Sequence, residues 1–221
     1  EVVRGPREAF VENIRANTSL LRRKIRSSQL VFENVSIGRQ TNTPVVIAYL
    51  ANVVNLDVLS GVRRQIQKID IDGIFDSGYI EQLTEKSPLS PFSKFFNSQK
   101  PDVVASKLLE GRVAVICDGS PHVITAPHLF IENLQVSEDY YSRTLLSCIL
   151  RIVRVVSLFV SVLLPGIYVA LVTFSPEAIP TVLLMQMISQ RASVPLSAGL
   201  EAFLMLFVFE LIKESGLRLP K

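Results

Sequence analysis

The chain has 221 residues, of which 48% are hydrophobic and 19% charged, and its 23 Lys and Arg against 20 Asp and Glu leave a net charge of +3. A mean hydropathy of +0.36 is too apolar for an ordinary soluble protein, and so small a basic excess argues against a nucleic-acid binder, which carries a larger and clustered positive charge. The apolar excess lies after Leu145; before it, charged and apolar residues mix as in a globular domain with one modest core.

The opening RGPREAFVENIRANTSLLRRKI predicts two short helices, with Pro6 in a first turn and Asn17-Thr18 as a second N-cap. Arg22, Arg23, Lys24 and Arg26 suit a helix C-terminus, as a solvated face or a contact with headgroups or a partner. LVFENVSIG and TPVVIAYL, joined by the polar residues Arg39 to Thr43, predict a pair of strands in a hairpin. Val58, Val62, Ile66 and Ile69 recur at helical spacing and predict a surface helix packed on a sheet. Asp70, Asp72 and Asp76 in DIDGIFDSG are spaced like calcium ligands, but the terminal Glu and the remaining ligand spacing are missing, so a capped turn is expected.

SPLSPFSKFFNSQKP reads as a loop lying over apolar surface, and Pro101 to Leu109 as a helix stopped by Gly111. RVAVICDGSPHVITAP predicts two short strands around the turn Asp118-Gly119-Ser120-Pro121. Asp118, Ser120 and His122 have the residue types of a nucleophilic triad, but near-neighbours on a turn diverge where a triad must converge. His122 and His128 lack a third metal ligand at sensible spacing. No catalytic residue, metal site or cofactor is therefore expected. Cys117 and Cys148 fall in a core strand and in the helix entering the apolar region, a poor arrangement for a disulfide, and both are expected to be buried.

Val155 to Phe174 is twenty residues without a charge, thirteen of them Val, Leu, Ile or Phe. A helix of about 20 apolar residues crosses a hydrocarbon core of about 30 Å. At about −0.3 to −0.6 kcal/mol per large aliphatic residue, insertion outweighs the cost of Pro165, Gly166 and two serines. Arg143, Arg151 and Arg154 precede the run and the first charge after it is Glu177, so Arg151 and Arg154 are read as topology anchors and the preceding domain as cytoplasmic. Position and length exclude a signal peptide, and the chain reads as a fragment of a longer membrane protein.

Ser175-Pro176-Glu177 predicts the start of a second helix, too short to cross the bilayer before Arg191 and Pro195. Leu200 to Ile212 is apolar but carries Glu201 and Glu210, nine residues apart and so on opposite sides of a helix. Glu210 has Lys213 three residues on, which makes both, with Pro165, candidates for packing. Glu201 is the candidate for a pore-lining or inter-subunit position. The organisation expected is an α/β cytoplasmic domain over residues 1–141, a transmembrane helix with its cytoplasmic lead-in over 142–174, and short α-helical membrane or interfacial segments over 175–221.

Several strings carry a family resemblance. They are RGPREAF (Arg4, Gly5, Pro6, Arg7, Glu8), NTSLLRRKI (Arg22, Arg23), GRQTNT (Gly38, Arg39), DSGYIEQL, LLEGRVAVICDGSP (Gly111, Arg112, Asp118, Gly119), EDYYSR (Asp139, Tyr140), PGIYVA, the Val-Pro before the last helix, and FELIKESGLRLP. In this order and spacing the chain resembles the A subunit of GerA-type spore germinant receptors, or a germination-amplifying paralogue, along nearly its whole length. The resemblance implies a second cytoplasmic subdomain followed by the first membrane segments. It implies as partners a transporter-like B subunit, a lipoprotein C subunit, further A subunits in a homo-oligomer, and the lipid bilayer of the inner spore membrane. Leu206 stands where the family often has an acidic residue, and SQKPD departs from a more acidic or arginine-bearing form. A non-enzymatic signal-transducing subunit of a nutrient-gated ion channel is the function expected. The alternatives are a transporter component, with Pro165-Gly166 in a broken-helix site, a membrane-tethered scaffold, and a membrane-tethered enzyme, against which the weak catalytic constellations argue.

Overall fold

The computed structural model describes residues 5–85, 93–141, 143–191 and 196–218. It divides into two compact units, Glu1–Cys148 and Ile149–Lys221.

The first unit is built on two strands that read as unbroken apolar runs because both of their faces are covered. β2 (Thr43–Leu50) and β4 (Val113–Cys117) lie side by side and antiparallel, Val45 opposite Cys117 and Ala48 opposite Ala114. Successive side chains point to opposite faces of a strand. Val45, Ile47, Val113, Val115 and Cys117 therefore enter one core with Leu59, Val62, Ile66 and Ile80, whereas Val46, Ala48, Ala114 and Ile116 enter another with Leu21, Val104 and Leu108. The first core lies under α2 (Leu56–Gln67) and α3 (Ser77–Thr84), the second under α1 (Ile14–Lys24) and α4 (Pro101–Leu109). With β1 (Leu30–Ile37), β5 (Val123–Ala126) and β3 (Phe96–Ser98) the sheet has the order β1-β2-β4-β5-β3, antiparallel throughout. The result is the expected α/β domain, with helices on both faces of the sheet.

The hairpins around residues 38–42 and 118–121 form as the turn chemistry predicts, and Asn55 caps α2 by accepting from the backbone N–H groups of Asp57 (3.0 Å) and Val58. The spaced carboxylates take up structural partners. Asp76 caps α3 at Gly78 (3.1 Å), Asp70 pairs with Arg39, and the Asp72 carbonyl accepts from Gln40 (2.8 Å).

Four local expectations are corrected. The opening segment holds one helix rather than two: Asn13 caps α1, and Asn17 is fully buried inside it, its carboxamide bonded to the N–H and carbonyl of Val11 (2.9 and 2.6 Å). Lys94 to Gln99 is not all loop, because Phe95 enters the core and Phe96–Ser98 adds a short edge strand to β5; the preceding 86–92 lie outside the described residues. Cys148 is exposed, and only Cys117 is buried. Pro176–Ala178 forms a 3-10 turn, because Pro180 has no N–H with which to continue it, and α6 starts at Thr181.

α5 (Thr144–Phe174) begins in the first unit and continues for 31 residues through Pro165. At 1.5 Å per residue that is about 46 Å. Among the described residues it is the one helix long and apolar enough to cross a membrane, and none of its apolar window is buried, unlike the core helix of a soluble protein. The second unit continues with α6 (Thr181–Arg191) and α7 (Ala198–Arg218).

Candidate functional site: the ion clamp ahead of the apolar helix

The chain between β5 and α5 is short of apolar burial, and buried charge holds it instead. It leaves the sheet at a cis Ala126–Pro127 peptide, makes 3-10 turns over Phe130–Leu134 and Ser137–Tyr141, and enters α5. Glu132 lies between two cations. One carboxylate oxygen accepts from the Lys107 ammonium of α4 and the other from the Arg112 guanidinium. Lys107, Glu132 and Arg112 keep only 8%, 11% and 13% of their side-chain surface exposed. Arg112 further donates to the Pro127 carbonyl (2.9 Å) and pairs with Glu110 (3.0 Å), while the Lys107 Nζ lies 3.7 Å from the centroid of the Phe96 ring.

Burial alone would raise the Glu132 pKa, but the hydrogen bonds from Lys107 and Arg112 outweigh it and hold the carboxyl below its ordinary value. Burial pushes Lys107 down, with Glu132 opposing. The carboxylate with its two charge-assisted donors is the stable centre of the cluster.

The same segment is tied down further along. Lys100 donates to the Ser137 hydroxyl (3.2 Å), and the Tyr141 hydroxyl donates to Asp102 (2.6 Å) at the start of α4. Burial first, then the Asp102 carboxylate, push the Tyr141 phenol up to about 12. Asp139 is 6% exposed, and its carbonyl accepts from the Ser147 hydroxyl of the first turns of α5 (2.6 Å). Pro127 to Ser147 is thus clamped at both ends of α4, and the first turns of α5 belong to the same compact unit.

The residues singled out by resemblance fall at joints of the domain. Gly5, at φ +122°, lies against the Tyr141 ring, which a Cβ would meet at 3.0 Å. Pro6 is half-buried and Arg7 exposed. Glu8 binds Arg23 and Lys24, and Arg22 stacks over Phe32 at 5.0 Å. Asp118 accepts from the Ile14 N–H (3.0 Å), and the Gly119 N–H donates to the Glu12 carbonyl (2.8 Å), so the β4–β5 turn receives the N-terminal segment. Gly38 and Gly111 take φ +97° and +85° at turns, Arg39 binds Asp70, and Tyr140 is 69% exposed. Arg4 lies outside the described residues.

Asp118, Ser120 and His122 do not converge. Ser120 donates to Asp76, His122 meets Asn97 and Gln99 (both 2.9 Å), and Asp118 holds Ile14. Arg151 and Arg154 stand three residues apart, on one side of α5. In α7 Lys213 pairs with Glu210 (2.7 Å), and Glu201 lies in the first turn. Sequence reasoning missed Lys107 and Glu132. The available signal was a lysine interrupting the apolar face of α4 and an isolated Glu in FIENL, 25 residues apart and with no local partner.

Comparison with known proteins defines the class. The family model described as Bacillus/Clostridium GerA spore germination protein matches residues 1–221. Spore germination protein KA of Bacillus subtilis (strain 168) is 44% identical over 218 residues, 99% of this chain and 40% of that protein. Spore germination protein GerLA of Bacillus cereus is 36% identical over 221 residues, 100% of this chain and 45% of that protein. The uncharacterized membrane protein YfkQ of Bacillus subtilis (strain 168) is 42% identical, over 99% of this chain and 43% of its own length. The crystal structure of the N-terminal domain of the A subunit of the Bacillus megaterium spore germinant receptor GerK3 aligns with 43% identity over 56% of this chain and 98% of that one, with a TM-score of 0.46. The chain belongs to the GerA spore germination family. It spans less than half the length of these curated relatives.

Proposed function

We propose that the chain is part of the A subunit of a spore nutrient germinant receptor, a non-enzymatic membrane subunit that converts nutrient binding by its partners into ion flow. In this reading it works with a transporter-like B subunit and a lipoprotein C subunit in the inner spore membrane, and several A subunits assemble around a nutrient-gated channel. The α/β domain is cytoplasmic, because Arg143, Arg151 and Arg154 precede the span and Glu177 is the first charge after it. The ion clamp supports this reading furthest. A domain fixed through Glu132, Tyr141 and Asp139 to the first turns of an apolar 31-residue helix can transmit a displacement into the membrane, where a loose tether would dissipate it.

The test is the complete A subunit in liposomes, with and without the B and C subunits, measuring ion flux on nutrient addition. Nutrient-dependent flux requiring the A subunit is expected, changed by Glu201→Gln at normal protein level, whereas Glu210→Gln lowers protein level. Absence of flux with all three subunits inserted and nutrient present would overturn the channel reading.

A further inference from the structure

Elsewhere in the α/β domain, opposite charges that face one another pair directly: Glu33 with Arg63, Asp70 with Arg39, and Glu132 with Lys107 and Arg112. A cavity of about 240 Å³ between α2 and the end of α3 departs from this pattern. Gly61, Arg64, Gln65 and Lys68 line it from α2 and its C-cap, and Leu83 and Glu85 from the end of α3. Among the described residues, no hydrogen bond or ion pair engages the side chains of Arg64, Gln65, Lys68 or Glu85. The Glu85 Oε1 is moreover buried without a donor, which costs free energy unless something supplies one.

Folding does not require this arrangement. Spacings of three and four residues put the four α2 positions on one face, apart from Leu59, Val62 and Ile66 in the core. Arg64 and Lys68 place like charges one turn apart, which weakens a helix. The negative end of the α2 dipole favours cations there but leaves the facing carboxylate unexplained. Glycine is a poor residue for a helix interior, and a Cβ at Gly61 would meet nothing within 4 Å, so no close neighbour demands it. Its effect is to keep the cavity open. The cations of one wall and the carboxylate of the other do not pair across the gap. They stand beyond the reach of an ion pair, about 4 Å, with room between them for a molecule that carries both opposite charges.

We propose that this cavity binds a compact zwitterion, a free α-amino acid, whose carboxylate meets Arg64 and Lys68 and whose ammonium meets Glu85. A guanidinium offers a carboxylate two parallel donors, and the Gln65 carboxamide can hydrogen-bond either charged group. The C-terminal carbonyls of α3 add negative potential beside Glu85. The site lies wholly within the first unit and stands whether or not α5 spans a membrane. To test it, the complete subunit in lipid nanodiscs is titrated with glycine and L-valine, followed by saturation-transfer NMR. The halves of each amino acid serve as controls: acetate and methylamine, 3-methylbutanoate and isobutylamine. Glycine or L-valine should bind saturably and at least about ten-fold more tightly than either of its halves. Glu85→Gln, and Arg64→Gln with Lys68→Gln, should each weaken that binding at least about ten-fold. Gly61→Leu should abolish it by filling the cavity, with a thermal midpoint no lower than wild type. No saturable binding of either amino acid up to about 50 mM would overturn the proposal. So would a half that binds as tightly as the whole, which means a simple ion site, or binding undiminished by Gly61→Leu, which means a site elsewhere.

Discussion

Replacing Glu132 with Gln removes the one anion that two buried cations share. The carboxamide can still accept from one of them, but it brings its own N–H₂ against the other. Removing one partner of a buried ion pair costs about 3–5 kcal/mol. Glu132 keeps 11% exposure and Arg112 retains Glu110 and the Pro127 carbonyl, so the loss falls at the lower end, about 3 kcal/mol. Because the cluster holds only the segment after β5, the loss should emerge as local opening. Hydrogen exchange at Gln135 and Asp139, whose N–H groups donate within that segment, should accelerate on the order of 100-fold, with the β2 and β4 amides unchanged. The double variant Lys107→Met, Glu132→Leu removes the anion together with one of its two cations, leaves Arg112 to Glu110 and the Pro127 carbonyl, and should restore part of the protection. The pH dependence has a defined sign. A carboxyl whose pKa is lowered on folding stabilises above its unfolded value, near 4.5, and loses that contribution as pH falls through the folded value. The wild-type segment should therefore loosen in acid below about pH 4.5, and the double variant should not. Unchanged exchange in Glu132→Gln, or an acid response shared by the double variant, would refute the clamp.

Gly111 and Gly119 share φ +85°, but a Cβ at 111 would meet the Val53 carbonyl at 2.5 Å and one at 119 only the Phe75 carbonyl at 3.6 Å. Gly111→Ala should cost about 3 kcal/mol or more and Gly119→Ala about 1–2 kcal/mol, as read from urea unfolding midpoints; equal costs would refute the steric argument. Asn17→Leu leaves the Val11 N–H and carbonyl unpaired and should cost about 2–3 kcal/mol, with increased exchange confined to the segment before α1.

The sequence and the structure agree most where periodicity is strong and partners are local. Val62 and Ile66 on α2, the β1–β2 hairpin and the β4–β5 turn are all legible from spacing and turn chemistry. The layered arrangement was present in the sequence as well, since TPVVIAYL and VAVIC are apolar at every second position on both faces and so require a cover on each side. β3 was not legible: three residues, Phe96-Asn97-Ser98, have no measurable period, and only β5 makes them a strand. The single opening helix was hidden for a similar reason. Asn17 has the chemistry of a cap and instead turns inward to satisfy a backbone segment that only the tertiary fold brings back.

The joints of the domain reflect the same distinction between local and distant partners. The residue types of Glu8, Arg23, Asp118 and Gly119 did not reveal the joints they form: Arg23 read as a helix terminus, Asp118 as a member of a triad that does not converge, and Glu8 and Gly119 as ordinary surface and turn residues. Their partners lie 15 residues away for Glu8 and Arg23 and 104 away for Asp118 and Ile14, so their role exists only once the sheet has brought the segments together. Lys107 and Glu132 extend that logic into the segment that leads to α5. Burying an ion pair is a poor way to gain stability and a good way to fix one arrangement against its alternatives, since a slip of the segment strands charge in an apolar setting. At the connection between the α/β domain and α5, the buried charges of Lys107, Glu132 and Arg112 thus favour one path of the chain, where an apolar contact would have held more tightly but with less discrimination.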